Sequence, residues 1–114
     1  MSDPLVTYSS EDRIGIITLC RPEKLNAINA AMKEQLVARF EEAERDPKTS
    51  LVVLRAEGRS FSVGYDIDPP DRHDRRDDPL FWEPRLRAAF DCTFAAWAVS
   101  KPVIASVQGH VLGG

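Results

Sequence analysis

Apolar positions along this chain follow a helical rhythm in two segments and cluster into short runs elsewhere. Between Ala30 and Arg45, Met32, Leu36, Phe40 and Ala43 recur at helical spacing, with Lys33, Glu34, Arg39, Glu41 and Glu42 on the opposite side. That period predicts a helix with one buried face. Asn29 precedes it as an N-cap, and Asp46-Pro-Lys-Thr-Ser stops it. A second stripe of Leu86, Phe90, Phe94 and Trp97 predicts a helix over Phe81–Val99. Pro84 is expected in its first turn, where a missing N–H costs little.

Leu5–Ser9 alternates weakly, and Ile14–Cys20 is rich in Ile, so both are read as strands. Asp12, Arg13 and Gly15 predict a tight hairpin between them, and Pro22 ends the second strand. Leu51–Leu54 and Val103–Val107 are short apolar runs that predict buried strands of a parallel sheet. The order is two strands, helix, strand, helix, strand, an α/β arrangement. Its last three elements form a crossover unit, expected to be right-handed. Asp66–Pro79, dense in Asp, Arg and Pro, predicts an irregular solvated insertion.

The chain has 114 residues, 43% hydrophobic and 29% charged, as expected of a globular protein. Its net charge of −3 argues against a basic nucleic-acid face or a polybasic membrane patch. No apolar run approaches the ~20 residues of a membrane helix, and the N-terminus lacks the charged and apolar regions of a signal peptide. Cys20 and Cys92 are read as buried reduced thiols, which suits the cytoplasm. Asp66, Asp68, Asp71, Asp74 and His73 offer metal ligands, but the interleaved Arg72, Arg75 and Arg76 point to a self-neutralised loop, so no metal is expected.

Candidate chemistry lies in the loops after the two parallel strands, Ser62–Asp66 and Gln108–Gly114. Ligands of open α/β sheets bind at the carboxyl ends of strands. Glycines there let the backbone approach a ligand and present its N–H groups. Two such loops on neighbouring strands can aim two donors at one oxygen, an arrangement worth about 3–4 kcal/mol per donor to an oxyanion. By glycine content alone the plainer reading, turns that lead into helices, is preferred. Neither loop fits a phosphate-binding glycine pattern.

Three segments change that balance. Arg21-Pro-Glu-Lys-Leu-Asn-Ala-Ile-Asn, Arg59-Ser-Phe-Ser-Val-Gly-Tyr-Asp-Ile and Lys101-Pro-Val-Ile-Ala-Ser-Val-Gln-Gly-His-Val-Leu-Gly-Gly resemble, in order, the N-terminal signatures of the enoyl-CoA hydratase/isomerase (crotonase) family. The resemblance covers essentially the whole chain. It implies a crotonase-like spiral of ββα repeats, of which residues 1–114 are the N-terminal portion. It further implies acyl-CoA as the small-molecule substrate, with coenzyme A as part of that substrate and no separate cofactor. A place in fatty acid metabolism, as lyase or isomerase, goes with it.

By motif, the oxyanion-hole donors are the N–H groups of Tyr65 and Gly114. Lys24, Leu25, Ala27, Val63, Gly64, Asp66, Ile67 and Gly113 fall on substrate- and CoA-binding positions. Lys24 faces a CoA phosphate in that reading and is an ordinary exposed lysine in the other; Asn26 is read as a turn or capping residue. Tyr65 stands where the family often has Ala, which keeps the N–H but alters the acyl pocket or the loop. Gln108 replaces a commoner Asn. His110 is read as packed rather than catalytic.

The family's acid–base carboxylates lie beyond the second glycine loop, so the chain is expected to be a fragment lacking the C-terminal half. A terminal carboxylate at Gly114 would stand within about 3.8 Å of a donor N–H and oppose an oxyanion. The family assembles as trimers or hexamers; this chain's assembly is left open. Two other functions remain: a non-catalytic CoA-binding or interaction module, and a different reaction on the same scaffold, such as thioester hydrolysis, dehalogenation or ring-forming condensation.

Overall fold

The computed structural model describes residues 3–66 and 78–113. Strands β1 (Val6–Glu11), β2 (Ile14–Leu19), β3 (Leu51–Ala56) and β4 (Val103–Ala105) form one sheet in the order β1-β2-β3-β4. β1 and β2 are antiparallel; β2, β3 and β4 are mutually parallel neighbours. The crossovers are helices α1 (Ala30–Arg45) and α2 (Pro79–Trp97).

The hairpin is as tight as expected, but two residues make it. Asp12 and Arg13 both have positive φ, 52° and 69°, which a two-residue turn of primed type requires. Gly15 lies inside β2, opposite Ser10. Its missing side chain leaves room for Tyr8, whose hydroxyl would stand 2.9 Å from an added Cβ.

α1 has the expected bounds. The Asn29 side chain accepts from the Met32 N–H at 2.9 Å, satisfying one of the first-turn donors. Met32, Leu36, Phe40 and Ala43 are buried against Val6, Ile17, Leu19 and Val52. Each large side chain so buried contributes roughly 1.5–3 kcal/mol. The other end of the helix is capped from outside. Lys101 Nζ donates to the Ala43 and Asp46 carbonyls, both at 2.7 Å, and to Thr49 Oγ1 at 3.0 Å. A cation there also meets the negative end of the helix dipole.

Three expectations are corrected. α2 starts at Pro79, after an Asp78 side chain that accepts from Leu80 N–H, so Pro84 lies inside the helix and not in its first turn. The Leu86, Phe90, Phe94 and Trp97 stripe faces outward, with Trp97 84% exposed. α2 packs instead through Cys92, Ala95 and Ala96, whose small side chains bring its backbone close to the core. Val103–Val107 is likewise not a buried strand. β4 spans only Val103–Ala105 at the sheet edge, and Ile104 and Val107 are each 52% exposed.

Candidate active site

Both glycine loops leave the carboxyl ends of neighbouring parallel strands, β3 and β4, and the structure joins them. Phe61 N–H donates to the Gln108 carbonyl at 2.7 Å, Ser62 N–H to His110 at 3.2 Å, and Leu112 N–H to Ser62 at 3.0 Å. A parallel bridge pairs Ser62 with Val111. The Gln108 side chain adds donations to the Ala56 and Gly58 carbonyls at 2.9 and 3.0 Å. Gly109 has φ +59°, and a Cβ on it would stand 2.1 Å from the Arg59 carbonyl oxygen. Two backbones this close leave no room for a side chain.

A third segment, Arg21–Ile28, holds the first loop from its other side. Asn26 is fully buried with φ +56°. Its side chain accepts from Arg21 N–H at 2.8 Å and donates to the Glu57 and Ser60 carbonyls at 2.8 and 3.0 Å. Ser62 Oγ donates to the Asn26 carbonyl at 2.9 Å and accepts from Gly64 N–H at 3.0 Å. Arg21 Nη1 bonds the Asp66 carboxylate at 2.9 Å and the Ala27 carbonyl at 2.7 Å. Asn26 is thus the turn residue expected, and it also ties three segments together, which spacing along the chain does not reveal. The sequence shows only an Asn, a residue type that tolerates positive φ, in Lys24-Leu-Asn-Ala.

The direction of the Tyr65 N–H follows from this frame. Ile28 bridges Tyr65, receiving the Gly64 carbonyl on its N–H at 2.9 Å and giving its own carbonyl to Asp66 N–H at 2.8 Å. Groups alternate along an extended strand, so the Tyr65 N–H between them points to the opposite side. That side carries the second loop: a Cβ on Gly64 would stand 2.6 Å from Leu112 O and 3.3 Å from Gly113 Cα. Among the described residues the Tyr65 N–H has no acceptor.

Beneath the two loops lies a cavity of about 160 Å³. Leu19 and Leu54 of the sheet, Phe40 of α1, Cys92 of α2, Tyr65 and Leu112 are among its walls. A wider crevice of about 340 Å³ between α1 and α2 touches neither loop. Burial pushes the Cys92 thiol pKa up, with Lys33 opposing, and burial likewise raises that of Cys20. Both cysteines are free thiols; Cys92 is buried and Cys20 half-buried.

The family model for enoyl-CoA hydratase/isomerase matches residues 14–114. The chain belongs to that family. A "Probable enoyl-CoA hydratase echA8" of Mycobacterium bovis is 30% identical over 118 residues, covering 100% of this chain and 42% of the relative. A "Probable 3-hydroxyisobutyryl-CoA hydrolase 2" of Arabidopsis thaliana is 30% identical, with 96% and 29% covered. An enoyl-CoA hydratase/carnithine racemase of Magnetospirillum magneticum superimposes with a TM-score of 0.87 at 28% identity, over 98% of this chain and 42% of that one. The crotonase-like fold is therefore shown, and the chain spans about two fifths of the hydratases it matches.

Of the residues that the family resemblance marks, the fold brings Leu25, Ala27, Val63, Gly64, Tyr65, Asp66 and Gly113 into one cluster: Val63 N–H reaches Leu25 O at 3.2 Å, and Gly113 lies against Gly64. Lys24 is exposed at the end of a short 3-10 turn, Pro22–Lys24. Ile67 and Gly114 lie outside the described residues, as do Asp68, Asp71, His73 and Asp74. Among the described residues no group of His, Cys, Asp and Glu could hold a metal, and no helix is long and apolar enough to cross a membrane. His110 is exposed, not packed, and its N–H donates to Ser60 Oγ at 3.3 Å.

Proposed function

We propose that this chain carries the acyl-thioester-binding part of an enoyl-CoA hydratase/isomerase-type enzyme. The N–H groups of Tyr65 and Gly114 donate to the thioester carbonyl oxygen. The observation that carries this reading is the unaccepted Tyr65 N–H, aimed at the Val111–Gly113 loop above an apolar cavity. Both donors bind an enolate oxygen more strongly than a neutral carbonyl, so they lower the barrier to α-proton loss or to addition of water at the β-carbon.

Coenzyme A enters as part of the substrate, and no further cofactor takes part. Lys24 meets a CoA phosphate from its exposed position, with Leu25 and Ala27 beside the pantetheine. Val63, Gly64, Asp66, Ile67 and Gly113 border the thioester. The names of the relatives include both a hydratase and a thioester hydrolase, and a shared fold does not choose between them. The proton-transfer groups decide that choice.

Infrared difference spectroscopy of crotonyl-CoA added to the full-length protein tests the proposal. Two donors on the oxygen shift the thioester carbonyl band to lower frequency, and turnover removes the absorbance of the conjugated thioester. Binding with neither change would favour a non-catalytic CoA-binding module. Failure to bind would overturn both readings.

A further inference from the structure

We propose that the Tyr65 side chain limits this site to short-chain acyl thioesters, which deepens the reading above and rests on it. The same residue presents the donor N–H and a ring that walls the cavity beneath the loops. An acyl chain whose carbonyl is held by that N–H therefore meets the ring within its first few carbons.

The ring is held at its hydroxyl and on one face. Its hydroxyl lies 3.1 Å from Thr93 Oγ1 and 3.4 Å from the Ala89 carbonyl, both on α2. Lys33 Nζ of α1 sits over its face, 5.1 Å from the centroid, a cation–π contact. The residue before it, Gly64, packs closely on the second loop: an added Cβ would stand 2.6 Å from the Leu112 carbonyl oxygen. Tyr65 thus braces the first loop against both helices, and swinging it aside breaks contacts to each.

Size then sets the limit. The cavity holds about 160 Å³. An apolar protein cavity of about 150 Å³ accepts benzene, so the room corresponds to roughly six carbons. Cys92, Thr93 and Ala96 of α2 line the same space, so the ring and this face of α2 form one continuous wall in front of the acyl chain.

Calorimetric titration of the full-length protein with free CoA and with butyryl-, octanoyl- and dodecanoyl-CoA tests this. The unaltered protein should bind butyryl-CoA at least about tenfold more tightly than dodecanoyl-CoA, a span that apolar pockets reach. Tyr65→Ala keeps the N–H and removes the ring, and should reverse the order. Thr93→Val removes the nearer of the hydroxyl's two partners and should narrow the difference. Equal or tighter binding of the long chain by the unaltered protein would overturn the proposal. So would an unchanged preference in Tyr65→Ala with an unaltered circular dichroism spectrum. Should Tyr65→Ala fail to fold, an unchanged preference in Thr93→Val is decisive against it. Failure of the underlying reading looks different: no acyl-CoA of any length would bind better than free CoA, which sinks both.

Discussion

Arg21 Nη1 stands 2.9 Å from Asp66 Oδ2, with only 14% and 22% of the two side chains exposed. The pair joins the start of the first family segment to the residue that follows Tyr65. The nitrogen also bonds the Ala27 carbonyl, so Arg21 holds both strands of the Ile28–Tyr65 bridge. Arg21→Ala leaves a half-buried carboxylate without this cation. It should lower stability by about 1–3 kcal/mol, between the values for exposed and buried pairs. It should also weaken acyl-CoA binding by letting the Tyr65 N–H wander. Denaturant midpoints and calorimetry on the same samples check the two effects.

Asn26 offers a harsher test. Removing its amide in Asn26→Ala deprives the Arg21 N–H and the Glu57 and Ser60 carbonyls of a partner, the Ser60 bond in a buried place and the other two half-buried. A loss of about 2–4 kcal/mol is expected, since each abandoned buried group costs more than an exchanged hydrogen bond. Asn26→Asp retains the shape and the acceptor but not the donors, and should recover only part of it. The readout is a shift in urea midpoint at unchanged slope.

Two glycines of the second loop should respond unequally. Gly109 and Gly113 have nearly the same φ, +59° and +57°, so Ala at either carries a left-handed penalty of about 1–2 kcal/mol. At Gly113 the nearest atom to an added Cβ is 3.7 Å away, ordinary contact. At Gly109 the Arg59 carbonyl is at 2.1 Å, so the loops must separate. Gly109→Ala should therefore abolish acyl-CoA binding and destabilise the fold well beyond Gly113→Ala. Comparable thermal midpoints for the two variants would contradict this.

Tyr8 gives a pH dependence away from the site. Its hydroxyl donates to Asp46 at 2.6 Å. Burial first, and then this bond, push the phenol pKa up to about 12. The Tyr8 bond first, and then the Lys48 N–H, pull the Asp46 carboxyl below the usual range. A raised phenol pKa contributes stability that is complete below the unfolded value near 10 and is lost as pH rises through about 12. A depressed carboxyl pKa contributes stability above its unfolded value, near 4, and loses it as pH falls through the folded one. Tyr8→Phe should thus be less stable than the unaltered protein across neutral pH, with the gap closing at both extremes. Thermal midpoints from acid to alkaline buffer measure it.

Local chemistry made much of this protein readable from its sequence. α1 carries its period, its Asn29 cap and its Asp46-Pro stop within a few turns, so each signal acts on neighbours in the chain. The Asp12–Arg13 hairpin and the order of strands and crossovers are local in the same sense. The three family segments marked the two loops as a pair. What periodicity could not show is which face of α2 turns inward. An apolar stripe states a preference for burial, while the space left beside α1 admits Cys92, Ala95 and Ala96. β4 likewise reads as buried from its composition, but among the described residues it lies at the sheet edge, paired with β3 alone. The Asn26 tie, the Arg21–Asp66 pair and the aim of the Tyr65 N–H join residues some 30 to 45 positions apart. Hydrogen bonds at such separation depend on how the strands stack, and only the tertiary structure decides that.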